Sequence, residues 1–150
     1  MKSFKITNFG PINEVNIQLG DLTILLGPQA SGKTLFLQML KLLIDKDHIV
    51  QTLARYNYVT NKQPDLILNY YFGDRLSSMW KENTTIEADG KNYKKSCLLN
   101  QKAGNAVEEV FYVPAQRILS ISDGRPKNFM EYDISSPYVL RNFSETLRLF

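Results

Sequence analysis

The sequence predicts an α/β fold, and three observations carry that reading. An apolar, β-prone run, Asp21-Leu22-Thr23-Ile24-Leu25-Leu26, leads into a glycine-bounded loop, Gly27-Pro28-Gln29-Ala30-Ser31-Gly32-Lys33-Thr34. Leu35 to Ile44 follows with helical character. Far along the chain, Glu109-Val110-Phe111-Tyr112-Val113 reads as a second buried strand, stopped by Pro114. Strand, glycine loop and helix in immediate succession form one supersecondary unit, and a distant strand gives it a sheet to join.

The elements follow in order along the chain. Residues 2–8 alternate, with Phe4 and Ile6 on one face, as in a half-buried strand. Gly10-Pro11 marks a turn. Glu14 to Leu19 alternates again, with Val15, Ile17 and Leu19 on one face, so a hairpin leads into the Leu22–Leu26 strand. The helix from Thr34 is expected to end near Ile44 or Asp45, and a second helix to cover His48–Tyr58. Pro64 opens a third at its first turn, with Leu66, Ile67, Tyr70, Tyr71 and Leu76 on its apolar side and Gly73 interrupting it. The cluster Tyr70-Tyr71-Phe72 reads as core, with base stacking as the alternative.

Thr84–Ala88 and Asn92–Leu99 flank Asp89-Gly90, a strong hairpin signal. Lys91, Lys94, Lys95 and Lys102 make this hairpin basic. A solvated face is the plain reading, and a nucleic-acid or protein contact the sharper one. Residues 120–136 are polar and turn-rich, including Ser122-Asp123-Gly124-Arg125-Pro126. From Pro137, the residues Val139, Leu140, Phe143, Leu147 and Phe150 recur at helical spacing, so 137–150 reads as the start of a helix without a stop signal.

The loop has the spacing G-x-x-x-x-G-K-[ST], and each position has a mechanical reason. Gly27 and Gly32 permit backbone conformations that a Cβ penalises. The bend turns successive N–H groups of Gln29, Ala30, Ser31 and their neighbours toward an anion, while Pro28 lends the loop shape but no donor. The helix beginning near Lys33 adds its positive dipole end and the free amides of Lys33, Thr34 and Leu35. Lys33 supplies a full charge for β and γ phosphates, and Thr34 a hydroxyl for Mg²⁺.

Composition excludes other chemistry. The chain has 150 residues, 43% apolar and 22% charged, which suits one globular domain. No apolar run reaches the ~20 residues that span a bilayer, and Met1–Lys5 lacks the apolar core of a signal peptide. A cytoplasmic protein with no membrane partner is therefore expected. Cys97 is the only cysteine and lies in a strand-like segment, so it reads as a structural thiol. His48 is the only histidine; it reads as a surface residue, and no Cys/His metal cluster can be built. The net charge of +3 is too mild to indicate nucleic-acid binding.

Three segments together resemble the ABC-type ATPases of the SMC/RecF/OLD group, which includes RecF-like AAA family proteins. They are Phe4-Lys5-Ile6-Thr7-Asn8-Phe9-Gly10-Pro11-Ile12, the strand and loop Leu22–Thr34, and Val110-Phe111-Tyr112-Val113-Pro114-Ala115-Gln116-Arg117. The resemblance implies a P-loop NTPase head that binds ATP with Mg²⁺. It implies that Gly27, Gly32, Lys33 and Thr34 hold phosphates and metal. Gln116 would be the glutamine that touches Mg²⁺ or the attacking water, with Arg117 as the alternative. Asn8 and Phe9 would lie near the nucleotide base. No Leu-Ser-Gly-Gly-type signature, no strand ending in an Asp-Glu pair and no switch histidine follows. In this group those belong to a C-terminal lobe. Residues 1–150 are thus expected to form an N-terminal lobe, with an inserted helical and hairpin segment at about 46–107. A missing lobe or second ATPase protomer would be the partner, and nucleic acid or an effector protein a further one. ATP binding with little hydrolysis by this chain alone is the expectation. A nucleotide-dependent assembly switch and a small-molecule kinase are the alternatives. No Asn-Lys-x-Asp motif supports guanine; Asn61-Lys62-Gln63-Pro64 only begins one.

Overall fold

The computed structural model describes residues 1–101 and 103–149. Lys102 and Phe150, which the sequence places in the basic hairpin and at the end of the last helical pattern, lie outside the described residues. Strands β1 (Ser3–Phe9) and β2 (Ile12–Gln18) form the first hairpin, with Phe9 opposite Ile12 across the Gly10-Pro11 turn. β3 (Trp80–Ala88) pairs antiparallel with the other edge of β1, and β4 (Lys91–Asn92) closes a four-stranded sheet of order β2-β1-β3-β4. Helices α1 (Lys33–Ile44), α2 (Lys46–Arg55), α3 (Pro64–Phe72) and α4 (Tyr138–Arg148) complete a mixed α/β architecture.

The core lies between the inner face of the sheet and the helices. The alternation of β1 sends Phe4 and Ile6 inward, and an irregularity at Asn8 (φ 54°) brings Phe9 in with them; all three are fully buried. Phe4 meets Phe36 of α1 at 5.0 Å between ring centroids, and Phe9 meets Phe72 of α3 at 5.5 Å. α1 contributes Phe36, Met39 and Leu42 at three-residue spacing, the stripe that faces a core. Burying each such side chain stabilises by about 1.5–3 kcal/mol relative to leaving it in water. α4 packs Tyr138 against Tyr71 of α3 at 5.7 Å. Arg141 of α4 is fully buried and donates to the carbonyls of Ile134 and Ser136 and to the Tyr58 hydroxyl, with Phe129 and Tyr58 rings against its guanidinium.

Several expectations hold. The first hairpin forms, with its second strand beginning at Ile12 rather than Glu14; α1 and α3 start where the sequence puts them to within a residue, and Tyr71 and Phe72 are core residues. Asp89 and Gly90 both take positive φ, the two-residue turn that suits the strand twist. The same chemistry at Asp123-Gly124 makes a second small hairpin, β5 (Ile121–Ser122) with β6 (Arg125–Pro126), inside the stretch read only as turn-rich.

Other expectations need correction. α2 spans Lys46–Arg55 rather than beginning at His48. α3 ends at Phe72, because Gly73 leaves helical space at φ 124°, and Leu76 belongs to a separate single turn. β4 is two residues long, and Lys95–Leu99 coils into a 3₁₀ turn that half-buries Cys97. The largest departures are 22–26 and 109–113. Neither is a strand: Leu22 lies in a bend, and both runs join no ladder among the described residues. Leu22, Ile24 and Leu26 are exposed, as are Phe111 and Val113, while Leu25, Val110 and Tyr112 are half-buried. The side chains specify strands, but a ladder needs a neighbour about 4.8 Å away, and the sheet formed by β1–β4 does not reach them.

The Asp89 turn also anchors the N-terminus. Its carboxylate accepts from the amides of Ser3 (2.8 Å) and Lys2 (2.7 Å). These bonds, Ser3 first, hold the Asp89 pKa below its ordinary 3.8. A lowered folded pKa contributes stability above the unfolded value, which is lost as pH falls through the folded one. Acid unfolding of the wild-type chain is therefore expected to be steeper below pH 3.8 than that of Asp89→Asn, as followed by circular dichroism.

Candidate functional site

The loop at 27–32 and the first turn of α1 form one unit. Gly27, Ala30 and Gly32 have positive φ values of 155°, 61° and 91°. Alternating left- and right-handed residues bring successive amides to one side of a loop. Gly32 precedes the helix, and Phe36 N–H closes the first helical bond on its carbonyl at 2.8 Å. No side chain caps this helix, so the amides of Lys33, Thr34 and Leu35 stay available to an acceptor. Lys33 is half-buried, and its ammonium donates to Gly27 O (2.8 Å), Pro28 O (2.5 Å) and Ser31 Oγ (3.2 Å). Thr34 is exposed at the second helical position. The donor set fits a polyphosphate: a cation, free helical amides and a loop bent around them, with one hydroxyl beside them for a hard cation.

The β1–β2 turn buttresses this loop. A Cβ on Gly32 would lie 2.5 Å from Ile12 Cγ1 and 3.5 Å from Pro11 Cγ. Ile12 is itself buried. Only glycine fits there, for φ and for space together. Gly32→Ala is expected to cost about 2 kcal/mol of stability through strain and overpacking, measured by urea denaturation. A cleft of about 540 Å³ opens beside the loop, between β2 and residues 24–26, with Asn13, Val15, Leu25 and Lys33 in its wall. Gln29, Ala30 and Thr34 line a second recess on the loop, with Pro11 at its rim.

The sequence profile of the AAA ATPase domain matches residues 1–145. The chain belongs to the AAA ATPase domain family. That family binds ATP. Searches of curated proteins and of solved structures return no match.

The remaining candidate residues of this AAA ATPase domain fall in different places. Gln116 and Arg117 are exposed, at the start of a 3₁₀ turn (Arg117–Ser120), and no hydrogen bond ties either to the loop among the described residues. Asn8 is half-buried, donates to Asn83 O, and accepts from Thr84 Oγ1 through its carbonyl. Phe9 is fully buried between Phe72 and Trp80, so its ring packs the core and offers no face to a base. His48 is half-buried rather than on the surface. Burial pushes its pKa down, and its Nδ1 has no hydrogen-bond partner among the described residues.

The sequence reading missed a buried ionic cluster at the far end of α1. Lys41, with 1% of its side chain exposed, donates to Asp45 (2.8 Å), Glu108 (2.5 Å) and the Val110 carbonyl (2.6 Å). Asp45, wholly buried, accepts from the amides of Glu109 (2.8 Å) and Val110 (3.1 Å). Asn142 of α4 donates to the same Glu108 oxygen at 2.9 Å. The only signal in the sequence was a Lys and an Asp four residues apart on a helix, a spacing common on solvated faces. Among the described residues, no helix is long and apolar enough to cross a membrane.

Proposed function

We propose that this AAA ATPase domain binds ATP with Mg²⁺ through residues 27–35, as the phosphate-loop part of an ABC-type head of the SMC/RecF/OLD kind. One observation carries the reading. A loop with positive φ at Gly27, Ala30 and Gly32 runs into an uncapped helix whose first residue is Lys33. In this reading the amides from Pro28 to Leu35 hold the phosphates, with proline as the one residue lacking a donor. Lys33 exchanges the loop's own carbonyls for β- and γ-phosphate oxygens. Thr34 orients the metal, which neutralises phosphate charge when bound. Gln116, or Arg117 beside it, approaches the metal or the attacking water once its segment is held in place.

Hydrolysis is expected to need another element. No apolar strand ending in an Asp-Glu pair and no Leu-Ser-Gly-Gly-type motif occurs in residues 1–150. The unpaired, half-exposed runs 22–26 and 109–113 support completion by a C-terminal lobe or a second protomer. The same open edges favour a second reading, in which nucleotide occupancy controls assembly with an effector without turnover. A cytoplasmic role in DNA or RNA maintenance, or in antiviral defence, is the context the group resemblance offers.

Calorimetric titration with ATP, ADP and GTP, with and without Mg²⁺, tests the binding reading. Mg²⁺-dependent binding of ATP and ADP supports it. Dimer formation with ATP but no phosphate release selects the assembly switch. Absence of nucleotide binding in a protein completed by its partner element would overturn both.

A further inference from the structure

The cluster at the end of α1 does more than hold charge. Asp45 ends α1 and begins α2: its amide bonds Lys41 O, and its carbonyl accepts from Ile49. Its carboxylate grips two consecutive amides, Glu109 and Val110, in a segment that joins no ladder among the described residues. Lys41 reaches the same segment through Glu108 and the Val110 carbonyl, which gives its ammonium three acceptors. Side chains of one helix thus do for 108–110 what a neighbouring strand does in a sheet. That helix is 12 residues long, a rod of about 18 Å, and its other end is the phosphate loop. Gln116 follows Val110 by six positions, beyond the buried Pro114.

A cluster of one cation and two carboxylates, largely withdrawn from water, is a costly way to fix a segment. Apolar packing would hold it as well. What the ionic grip adds is a defined register: two named amides on one carboxylate, tied to the orientation of α1.

We propose that Asp45, with Lys41, is a positioning residue that couples nucleotide at the N-terminus of α1 to the 106–116 segment. The proposal rests on the phosphate-loop reading above. An anion seated on Lys33, Thr34 and Leu35 fixes the start of α1, and the Asp45 carboxylate transmits that to Glu109 and Val110. The segment bearing Gln116 and Arg117 is thereby held in one register when nucleotide is bound. Coupling is reciprocal, so releasing the grip weakens nucleotide binding by the factor through which nucleotide tightens the grip.

Residue-resolved amide exchange of the full chain, with and without Mg²⁺–ATP, tests this. In the wild type, exchange at Glu109 and Val110 is expected to slow about fivefold or more on adding Mg²⁺–ATP, together with protection at 30–35. In Asp45→Asn that response at 109–110 disappears, and ATP affinity falls by the same factor. Asn142→Ala removes the α4 contact to Glu108, and with it the bond from the Tyr138 hydroxyl, but leaves the Asp45 grip in place and retains the response. Protection at 30–35 with no change at 109–110 in the wild type overturns the coupling and leaves the phosphate site standing. Faster exchange at 109–110 in Asp45→Asn with the ATP response intact shows a purely structural grip and also overturns it. No protection anywhere overturns the phosphate-loop reading and the coupling with it. Should Asp45→Asn fail to fold, absence of the wild-type response at 109–110 still overturns the coupling.

Discussion

Replacing Lys33 by alanine is expected to lower the affinity for Mg²⁺–ATP by about a hundredfold while leaving the fold intact. Among the described residues, the Lys33 ammonium makes its hydrogen bonds to its own loop, at Gly27 O, Pro28 O and Ser31 Oγ. None of these ties one element of the core to another, and the side chain is half-exposed. Its loss therefore costs the sheet and helices little. For a triphosphate the loss is different in kind. A hydrogen bond to a charged group is worth about 1.5–3 kcal/mol, and the upper end applies where the lysine faces a concentrated anion beside a helix N-terminus. Each 1.4 kcal/mol is about tenfold in affinity. Calorimetry gives the affinity, and thermal unfolding without nucleotide should give superimposable curves for wild type and mutant. Retained affinity would mean that the loop does not hold phosphate.

Lys41→Ala is expected to act in the opposite way, on stability first. The ammonium is almost wholly buried and is ion-paired to both Asp45 and Glu108. Removing one partner from a buried ion pair costs about 3–5 kcal/mol, because the other charge is left uncompensated. Here two carboxylates would face each other, and the Val110 carbonyl would lose its donor. At about 2–4 °C per kcal/mol for a chain of this size, the midpoint of thermal unfolding should fall by roughly 10 °C. Combining Lys41→Ala with Asp45→Ala should cost much less than the sum of the single changes, since the double variant buries fewer unpaired groups. A shift of only a degree or two for Lys41→Ala would show that water reaches the cluster.

The local grammar of this chain was readable wherever an element satisfies its own backbone or pairs with a neighbour close in sequence. β1 and β2 announce themselves by alternation around Gly10-Pro11, and α1 by its stripe of Phe36, Met39 and Leu42. The Asp89-Gly90 turn follows from two positive φ values that few residue pairs accept. Pairing over long distances was not readable. Leu22–Leu26 and Glu109–Val113 have strand composition, yet composition does not supply the adjacent strand. The site was legible as a motif, because Gly27, Gly32, Lys33 and Thr34 are constrained by backbone and charge. Its buttress was not, since the contact of Gly32 with Ile12 depends on where the hairpin folds. Phe9 looked like a candidate ligand contact and proved to be core, because the strand breaks its alternation at Asn8, which has a positive φ, and turns Phe9 rather than Asn8 inward. Lys41 and Asp45 escaped notice because charged residues are almost never buried unless paired, and their partner, Glu108, lies far along the chain.

The most direct test of the central claim is a nitrogen-15 amide spectrum of the assigned protein, titrated with Mg²⁺–ATP. The account predicts large shifts at Gln29, Ala30, Ser31, Gly32, Lys33, Thr34 and Leu35, saturating together. Saturating shifts confined to other surfaces, such as the basic turn around Lys91 and Lys94, with the loop amides unmoved, would contradict it.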